Sequence, residues 1–309
     1  MKVFPVRFET KRRLERWQAL NPAMIPTCEP AASQNPAVLS ITASSAGALS
    51  THCMNTILTL EDVRRHAPAA FTSAPAADLT ARYAHVTTAE VLERLQGDGW
   101  AITAARQGRS LSEHAVHEVR LGHPGFPANG EYRVELVIEN SSDGTSALRF
   151  FAGIVRFICL NGILVGDRVA DVVAVHRGKV RGHAIELAGG LRGRFAEVAG
   201  VVEQWKAVRL NRERMRVFAG EALRLRWPDR EPKVDLEEVL IPRRPEDKGE
   251  SLWHVYNRVQ EAMTRGGFKV RFTEAGASGR LGGARRLSSI RRDVGLNRQL
   301  WNLAERFAN

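Results

Sequence analysis

The stretch Tyr132–Arg156, YRVELVIENSSDGTSALRFFAGIVR, decides the fold. Its first half alternates, with Tyr132, Val134, Leu136 and Ile138 on one side and Arg133, Glu135 and Glu139 on the other. Side chains of a strand point alternately to opposite faces. The pattern therefore predicts a half-buried antiparallel strand, apolar side inward and charged side outward. Ser141-Ser142-Asp143-Gly144 follows, and Asp-Gly between two strand-like runs signals a hairpin. The run Arg149–Asp167, RFFAGIVRFICLNGILVGD, is then the return strand.

That return strand carries two arginines in an apolar run. In a regular strand Arg149 and Arg156 have opposite parity and point to opposite faces. A β-bulge at Ala152-Gly153 would slip the parity by one, because glycine inside a strand is the residue that suggests a bulge. Arg149, Phe151, Ile154 and Arg156 would then share a face, opposite Leu148, Phe150, Val155, Phe157 and Cys159. Two bases beside an aromatic suit a phosphate backbone and a stacked base. Pairing of the same arginines with Glu135, Glu139 or helix carboxylates is the structural alternative. Asn161-Gly162 reads as a turn.

Outward from the hairpin, Thr87 and Glu90 have capping-box spacing ahead of Val91, Leu92 and Leu95, which predicts a helix over about 88–96 closed by Gly97. Trp100–Ile102 and Ala115–Leu121 read as strands around a polar turn. From about residue 194 the pattern turns helical. Val198, Val201, Val202, Trp205 and Val208 share one face, and Met215, Phe218, Ala219 and Ala222 share another behind an Asn211 cap. Leu252, Val255, Tyr256, Val259, Ala262 and Met263 form an amphipathic helix ended by Gly266-Gly267. Leu296, Leu300, Leu303 and Phe307 mark a last one. Strands first and helices after predict an α+β fold, with an antiparallel hairpin sheet over about residues 100–190 packed against C-terminal helices. Residues 1–77, rich in Ala, Ser and Pro beyond Cys28, read as a poorly ordered leader, and 78–309 as a single domain.

The chain of 309 residues carries 45 Lys+Arg against 34 Asp+Glu, a net charge of +11 that favours a polyanionic partner. Its three cysteines, Cys28, Cys53 and Cys159, include no C-x-x-C pair, which disfavours a thiolate zinc site and fits a reducing compartment. With no apolar run long enough for a membrane span and no signal-peptide pattern, the expected location is the cytoplasm, without a membrane partner.

A family resemblance rests on motifs in a fixed order: Tyr83 with Thr87–Val91, Gly99-Trp100, the strand around His117 and Arg120, and the run from Ser141 to Asp167 with its Cys-Leu-Asn-Gly core. Arg243–Asp247, Leu252-Trp253 with Tyr256–Glu261, and Leu296–Trp301 complete the set. Over about residues 80–309 the chain resembles the domain of unknown function 932 family of phage- and plasmid-like proteins. The resemblance implies a mobile-element setting, and it carries no catalytic residue across.

No catalytic constellation emerges from the residues. His114 and His117 split to opposite faces of a strand, so they make a poor metal pair. The motifs GGLRGR and GRLGGARR lack the Gly-Lys-Ser/Thr ending of a phosphate loop. Cys159 reads as a small core residue. No cofactor and no metal are called for. The C-terminal segment from Thr264 onward is more telling, because it holds ten bases against three acids, +7 of the chain's +11. Much of this lies in GASGRLGGARRLSSIRRD, which reads as a flexible loop leading into a helix and able to wrap phosphates. A solvated loop pairing with Glu246, Asp247 and Glu250 is the alternative.

The expected function is nucleic-acid binding for a mobile element, on single-stranded DNA in replication, transfer or recombination, including strand annealing. Arg149, Phe151, Arg156, Arg285, Arg286, Arg291, Arg292 and Arg298 are the candidate nucleic-acid-binding residues, with Trp253 and Trp301 as further stacking groups that more often serve as helix core. Self-association stays open. Two alternatives are a metal-dependent enzyme on nucleic acid built around Asp167, Asp171 and His176, and a non-enzymatic protein that modulates a host defence.

Overall fold

A computed structural model describes residues 57–80, 83–126, 128–157, 162–166, 171–174, 192–272 and 281–309. The hairpin predicted from Tyr132–Arg156 is the centre of an antiparallel sheet. Strand β3 (Tyr132–Asn140) pairs with β4 (Leu148–Arg156), and Gly144 at the turn holds φ of 70°. On one side β2 (His117–Gly122) and β1 (Ala101–Gln107) extend the sheet. On the other, β5 (Gly162–Leu164) and β6 (Asp171–Ala174) both pair with β4. Seven helices accompany these strands among the described residues: α1 (Leu60–His66), α2 (Thr88–Gly97), α3 (Arg192–Ala207), α4 (Arg212–Arg226), α5 (Leu236–Leu240), α6 (Leu252–Arg265) and α7 (Ile290–Ala308). A small second sheet joins β7 (Pro232–Lys233), β8 (Lys269–Phe272) and β9 (Leu281–Gly283). The architecture is α+β, with the C-terminal helices packed against the sheet. None of the helices among the described residues is long and apolar enough to cross a membrane.

Strand parity separates two sheet faces. Ile102, Val119, Leu121, Val134, Leu136, Ile138, Phe150, Ala152 and Ile154 lie on an apolar face and form one core with Val63 of α1, Leu92 and Leu95 of α2, and Phe195, Val198 and Val202 of α3. A ring cluster of Trp205, Trp253, Tyr256 and Trp301 joins α3, α6 and α7, with Trp205 and Trp301 centred 4.4 Å apart. These tryptophans are core, not stacking platforms.

The other face is covered too, which corrects the half-buried expectation. Val137, Phe151 and Leu164 pack under Ile290 and Val294 of α7. Glu135, expected outward, is 0% exposed. A sheet face can bury charge when its carboxylates and guanidinium groups pair with one another, and here Glu118 and Glu135 pair with Arg106, Arg120 and Arg133.

No bulge occurs at Ala152-Gly153, since the β3–β4 register runs unbroken from Tyr132↔Arg156 to Glu139↔Arg149. Gly153 is there for room instead. A Cβ on it would sit 2.7 Å from Val137 Cγ2 and 3.4 Å from Arg120 Nη1. Gly162 is a strand residue, not the second half of a turn, and a Cβ there would run into the Arg120 guanidinium. Asn161 and Cys159 lie outside the described residues. Among the described residues the register shifts in β1, between Ile102 and Ala104, as at a bulge.

The described fold begins earlier than residue 78. Thr59 caps α1 with a full capping box closed by Asp62, Leu58 bridges Ile102 of β1, and Val63, Ala67 and Ala70 enter the core. Short, Ala-rich and weakly periodic, this segment looked like leader because its burial comes from the sheet it meets, not from its own pattern. At α2 the expected Thr87–Glu90 box is absent: Thr87 makes no side-chain cap, and its hydroxyl reaches the Thr72 carbonyl at 3.4 Å. The Asn211 cap of α4 is present, its side-chain oxygen accepting from Arg214 N at 2.9 Å.

Candidate functional site

The β1 bulge builds the site. It places Thr103, Ala104 and Arg106 together on the charged face of the sheet, where a regular strand would have put Ala104 and Arg106 on the apolar face with Ile102, and bulges serve to re-aim side chains in this way. Across β2 and β3 the ladder continues. Arg106 bonds Glu118 at 2.5 Å, Arg120 Nε bonds Glu118 at 2.9 Å, and Arg133 Nε bonds Glu135 Oε1 at 2.8 Å. The Thr103 hydroxyl donates to the same Glu135 oxygen at 2.8 Å. Burial alone would raise the Glu118 carboxyl, but Arg120 and Arg106 outweigh it and hold the group below the ordinary carboxylate range. Glu139 goes the other way: burial pushes its carboxyl up, and Glu118, opposite it across β2–β3, adds to this against the pull of Ser146 and Arg149.

Above the ladder a cleft of about 310 Å³ opens, walled on the far side by Gln260, Thr264 and Arg265 of α6, by Arg286 and Leu287, and by Asp293 of α7. Asp293 closes one side by bonding Arg106 at 2.7 Å. Two atoms of the cleft-lining residues lack a hydrogen-bond partner: Arg120 Nη1 and Glu135 Oε2, which face each other at 3.7 Å. Sequence reasoning missed this site by assigning the outward charges of each strand to solvent. The available signal was the alternation of opposite charges on adjacent strands: Arg106, then Glu118 and Arg120, then Arg133 and Glu135.

The residues expected to bind nucleic acid fall into three groups. Arg149 sits half-buried opposite Glu139. Phe151 is fully buried under α7, with the Arg298 guanidinium 5.0 Å from its ring centre, so it presents no face to a base. Arg156 points to the opposite face from Arg149 and is 3% exposed, bonded to Asp247 at 2.7 Å with Glu131 at 3.8 Å. Phe151 and Arg156 are therefore structural, and the structural alternative holds for Arg156.

Arg285, Arg286, Arg291 and Arg292 are exposed. Of the loop expected over GASGRLGGARRLSSIRRD, residues 276–280 lie outside the described residues, and the rest is hydrogen-bonded to the fold. Leu281–Gly283 is strand β9, Ala284 N bonds the Phe268 carbonyl at 2.8 Å, and Leu287 N bonds the Thr264 carbonyl at 2.8 Å. Arg226 reaches from α4 to the carbonyls of Ala262, Met263 and Arg285, and burial with Arg292 alongside lowers its pKa to about 10. Two of the three expected acids, Asp247 and Glu250, pair elsewhere. Asp247 is taken by Arg156 and Arg244, and Glu250 by Arg209. Arg291 alone of the four has an ion pair among the described residues, with Asp143 at 3.8 Å.

Among the described residues no group of three His, Cys, Asp or Glu side chains is placed to hold a metal. His117 is buried, its ring bonded to Thr88 and to the Ala115 carbonyl. Asp167 and His176 lie outside the described residues, and only the backbone of Asp171 is described, in β6.

Comparison with known proteins gives one family and no activity. The model of the domain of unknown function 932 family (DUF932) matches residues 77–301. Two Escherichia coli (strain K12) proteins, UPF0380 protein YafZ and UPF0380 protein YfjQ, are each 31% identical over 252 residues, covering 80% of this chain and 90% of the relative. No solved structure matches. With most of its length inside the family model and the motif order intact, the chain belongs to the domain of unknown function 932 family.

Proposed function

We propose that the protein binds single-stranded nucleic acid, DNA in the first instance, for a phage- or plasmid-like element, in the cytoplasm and during replication, transfer or recombination, including strand annealing. One observation carries the reading. Four exposed arginines lie in the segment that leads into α7, Arg285 and Arg286 before its Ser289 cap and Arg291 and Arg292 in its first turn, on a backbone hydrogen-bonded to the fold at Ala284 and Leu287. The positive end of a helix dipole disfavours cations, and the one acid of that first turn, Asp293, is already bonded to Arg106. Three of the four have no ion pair among the described residues, and such charge raises the energy of the isolated protein and is offset when a polyanion lies across it. A fixed backbone also lowers the ordering cost of binding.

The mobile-element setting comes from the family resemblance, while the binding chemistry comes from these arginines. The reading is tested by titrating single- and double-stranded oligonucleotides of one length into the full chain over a salt series. Preference for the single strand, with affinity falling linearly in log salt, is the expected outcome. Absence of binding to either at low salt contradicts it.

A further inference from the structure

We infer that the bound single strand continues past Arg285 onto the outer face of the small second sheet, where Lys233, Arg271 and Lys269 hold its phosphates, an inference that rests on the single-strand reading above. Strands β7 and β9 both pair with β8, with Lys233 opposite Arg271, Arg271 opposite Leu281 and Lys269 opposite Gly283. Residues directly opposite in an antiparallel pair point to one face, and residues two apart on a strand share it. Those five residues therefore lie on one face, and all five are exposed. The other face is the packed one: Val270 is buried, and Phe272 lies against Trp227 with ring centres 5.4 Å apart. Past β9 the alternation continues, with Ala284 buried, its N–H bonded to the Phe268 carbonyl at 2.8 Å, and Arg285 exposed. The cations thus run diagonally across three strands, from Lys233 through Arg271 and Lys269 to Arg285, the first arginine of the segment that leads into α7.

The chemistry of this face suits a polyanion. Lys233 and Arg271 are like charges directly opposite each other, an arrangement that destabilises a sheet until an anion offsets it. Neither of them, nor Lys269, has an ion pair among the described residues. The Glu238 carboxylate reaches β8 but accepts the backbone N–H of Lys269, at 2.8 Å. Glycine weakens a strand and marks places where a ligand or another backbone comes close. In β9 neither crowding nor a left-handed backbone calls for it, because a Cβ on Gly282 or Gly283 meets nothing within 4 Å. Gly283 lies on the outer face between Lys269 and Arg285, and it leaves the path between these two cations bare. Leu281 stands 51% exposed beside Arg271 and gives the same face an apolar contact for a sugar. Because the cations are spread over three strands, a small anion meets one or two of them, whereas a polymer meets them in succession.

The test combines Lys233→Gln, Lys269→Gln and Arg271→Gln in the full chain and measures oligo-dT binding over a salt series, with the melting temperature as the control for folding. The variant is expected to melt as the wild type does. Its slope of log affinity against log salt is expected to be shallower by about 2, roughly 0.7 for each of three phosphates, so that binding is about 100-fold weaker at about 0.1 M salt and the two lines meet near 1 M. Gly283→Glu places a carboxylate on the path at a position with room for a side chain, and it too is expected to weaken binding; it serves as the test if the triple variant does not fold. Wild-type affinity and slope in either folded variant overturn the inference and leave the reading of Arg285 to Arg292 standing. A loss confined to duplex DNA or to phosphatidylserine vesicles, with oligo-dT binding unchanged, overturns it as well. Failure of the wild type to bind oligo-dT at low salt ends the single-strand reading and the inference with it.

Discussion

Arg120 shows how a single guanidinium can organise a sheet. It stands on the central part of β2, bonds Glu118, faces Glu135, and lies over two strands whose glycines leave it space. Gly162→Ala should force it aside and cost roughly 1–3 kcal/mol, read as a lower melting temperature. Gly153→Val should destabilise by crowding Val137, for want of room and not through a bulge conformation. Unchanged melting of Gly162→Ala would remove the close-approach account. A second residue-scale consequence belongs to His117. Its Nδ1–H donates to the Ala115 carbonyl at 3.0 Å, which leaves Nε2 to accept from the Thr88 hydroxyl at 2.7 Å, and burial lowers the ring's pKa from 6.5 to about 4. Because the folded value lies below the unfolded one, the neutral ring contributes fully above pH 6.5, and that stability is lost as pH falls towards 4. The loss should reach roughly 3 kcal/mol at the low end. A His117→Gln variant, melted between pH 7 and pH 4.5, should depend on pH less steeply than the wild type; identical slopes would contradict the assignment.

Among the elements, α1 tests where the fold begins. Its capping box joins Thr59 and Asp62, with Asp62 N bonded to the Thr59 hydroxyl at 3.1 Å and Thr59 N bonded to the Asp62 carboxylate at 2.9 Å. Thr59→Ala should lower global stability by about 1 kcal/mol. A change confined to local proteolysis, with no shift in melting, would place α1 outside the cooperative fold. Gly200 in α3 provides a contrast, since a Cβ there meets nothing within 4 Å. Gly200→Ala should therefore stabilise by roughly 0.5–1 kcal/mol. The strands and long helices were legible in sequence because each buries a periodic stripe: Tyr132 to Ile138 at period two, Leu252 to Met263 at helical spacing. What escaped was set by partners distant in the chain. Glu135 looks solvent-facing until β1, β2 and the residues around Arg286 are placed around it. Arg156 finds Asp247 across 91 positions. The bulge at Thr103 has no glycine to announce it, whereas Gly153 announced one that is absent.

For the whole molecule, the distribution of charge matters more than its sum. Part of the arginine complement is matched within the fold, Arg106, Arg120, Arg133 and Arg156 to Glu118, Glu135, Asp247 and Asp293, and a net charge of +11 does not by itself describe what a partner meets. In the proposed reading a partner meets the segment from Arg285 to Arg292. Of the eight candidate nucleic-acid residues, Phe151 and Arg156 are buried, Arg149 and Arg298 half-buried, and Arg285, Arg286, Arg291 and Arg292 exposed. The residues that make Phe151 and Arg156 structural, in α7 and at Asp247, lie elsewhere in the chain, so the sequence leaves Arg156 between two readings and gives no sign for Phe151. The most direct test replaces Arg285, Arg286, Arg291 and Arg292 together by alanine and measures the salt dependence of single-stranded DNA binding for variant and wild type. The account predicts an intact fold, weaker binding and a slope of log affinity against log salt that is shallower by about 0.7 for each phosphate the variant no longer neutralises. A folded variant that binds with the wild-type affinity and slope would contradict it.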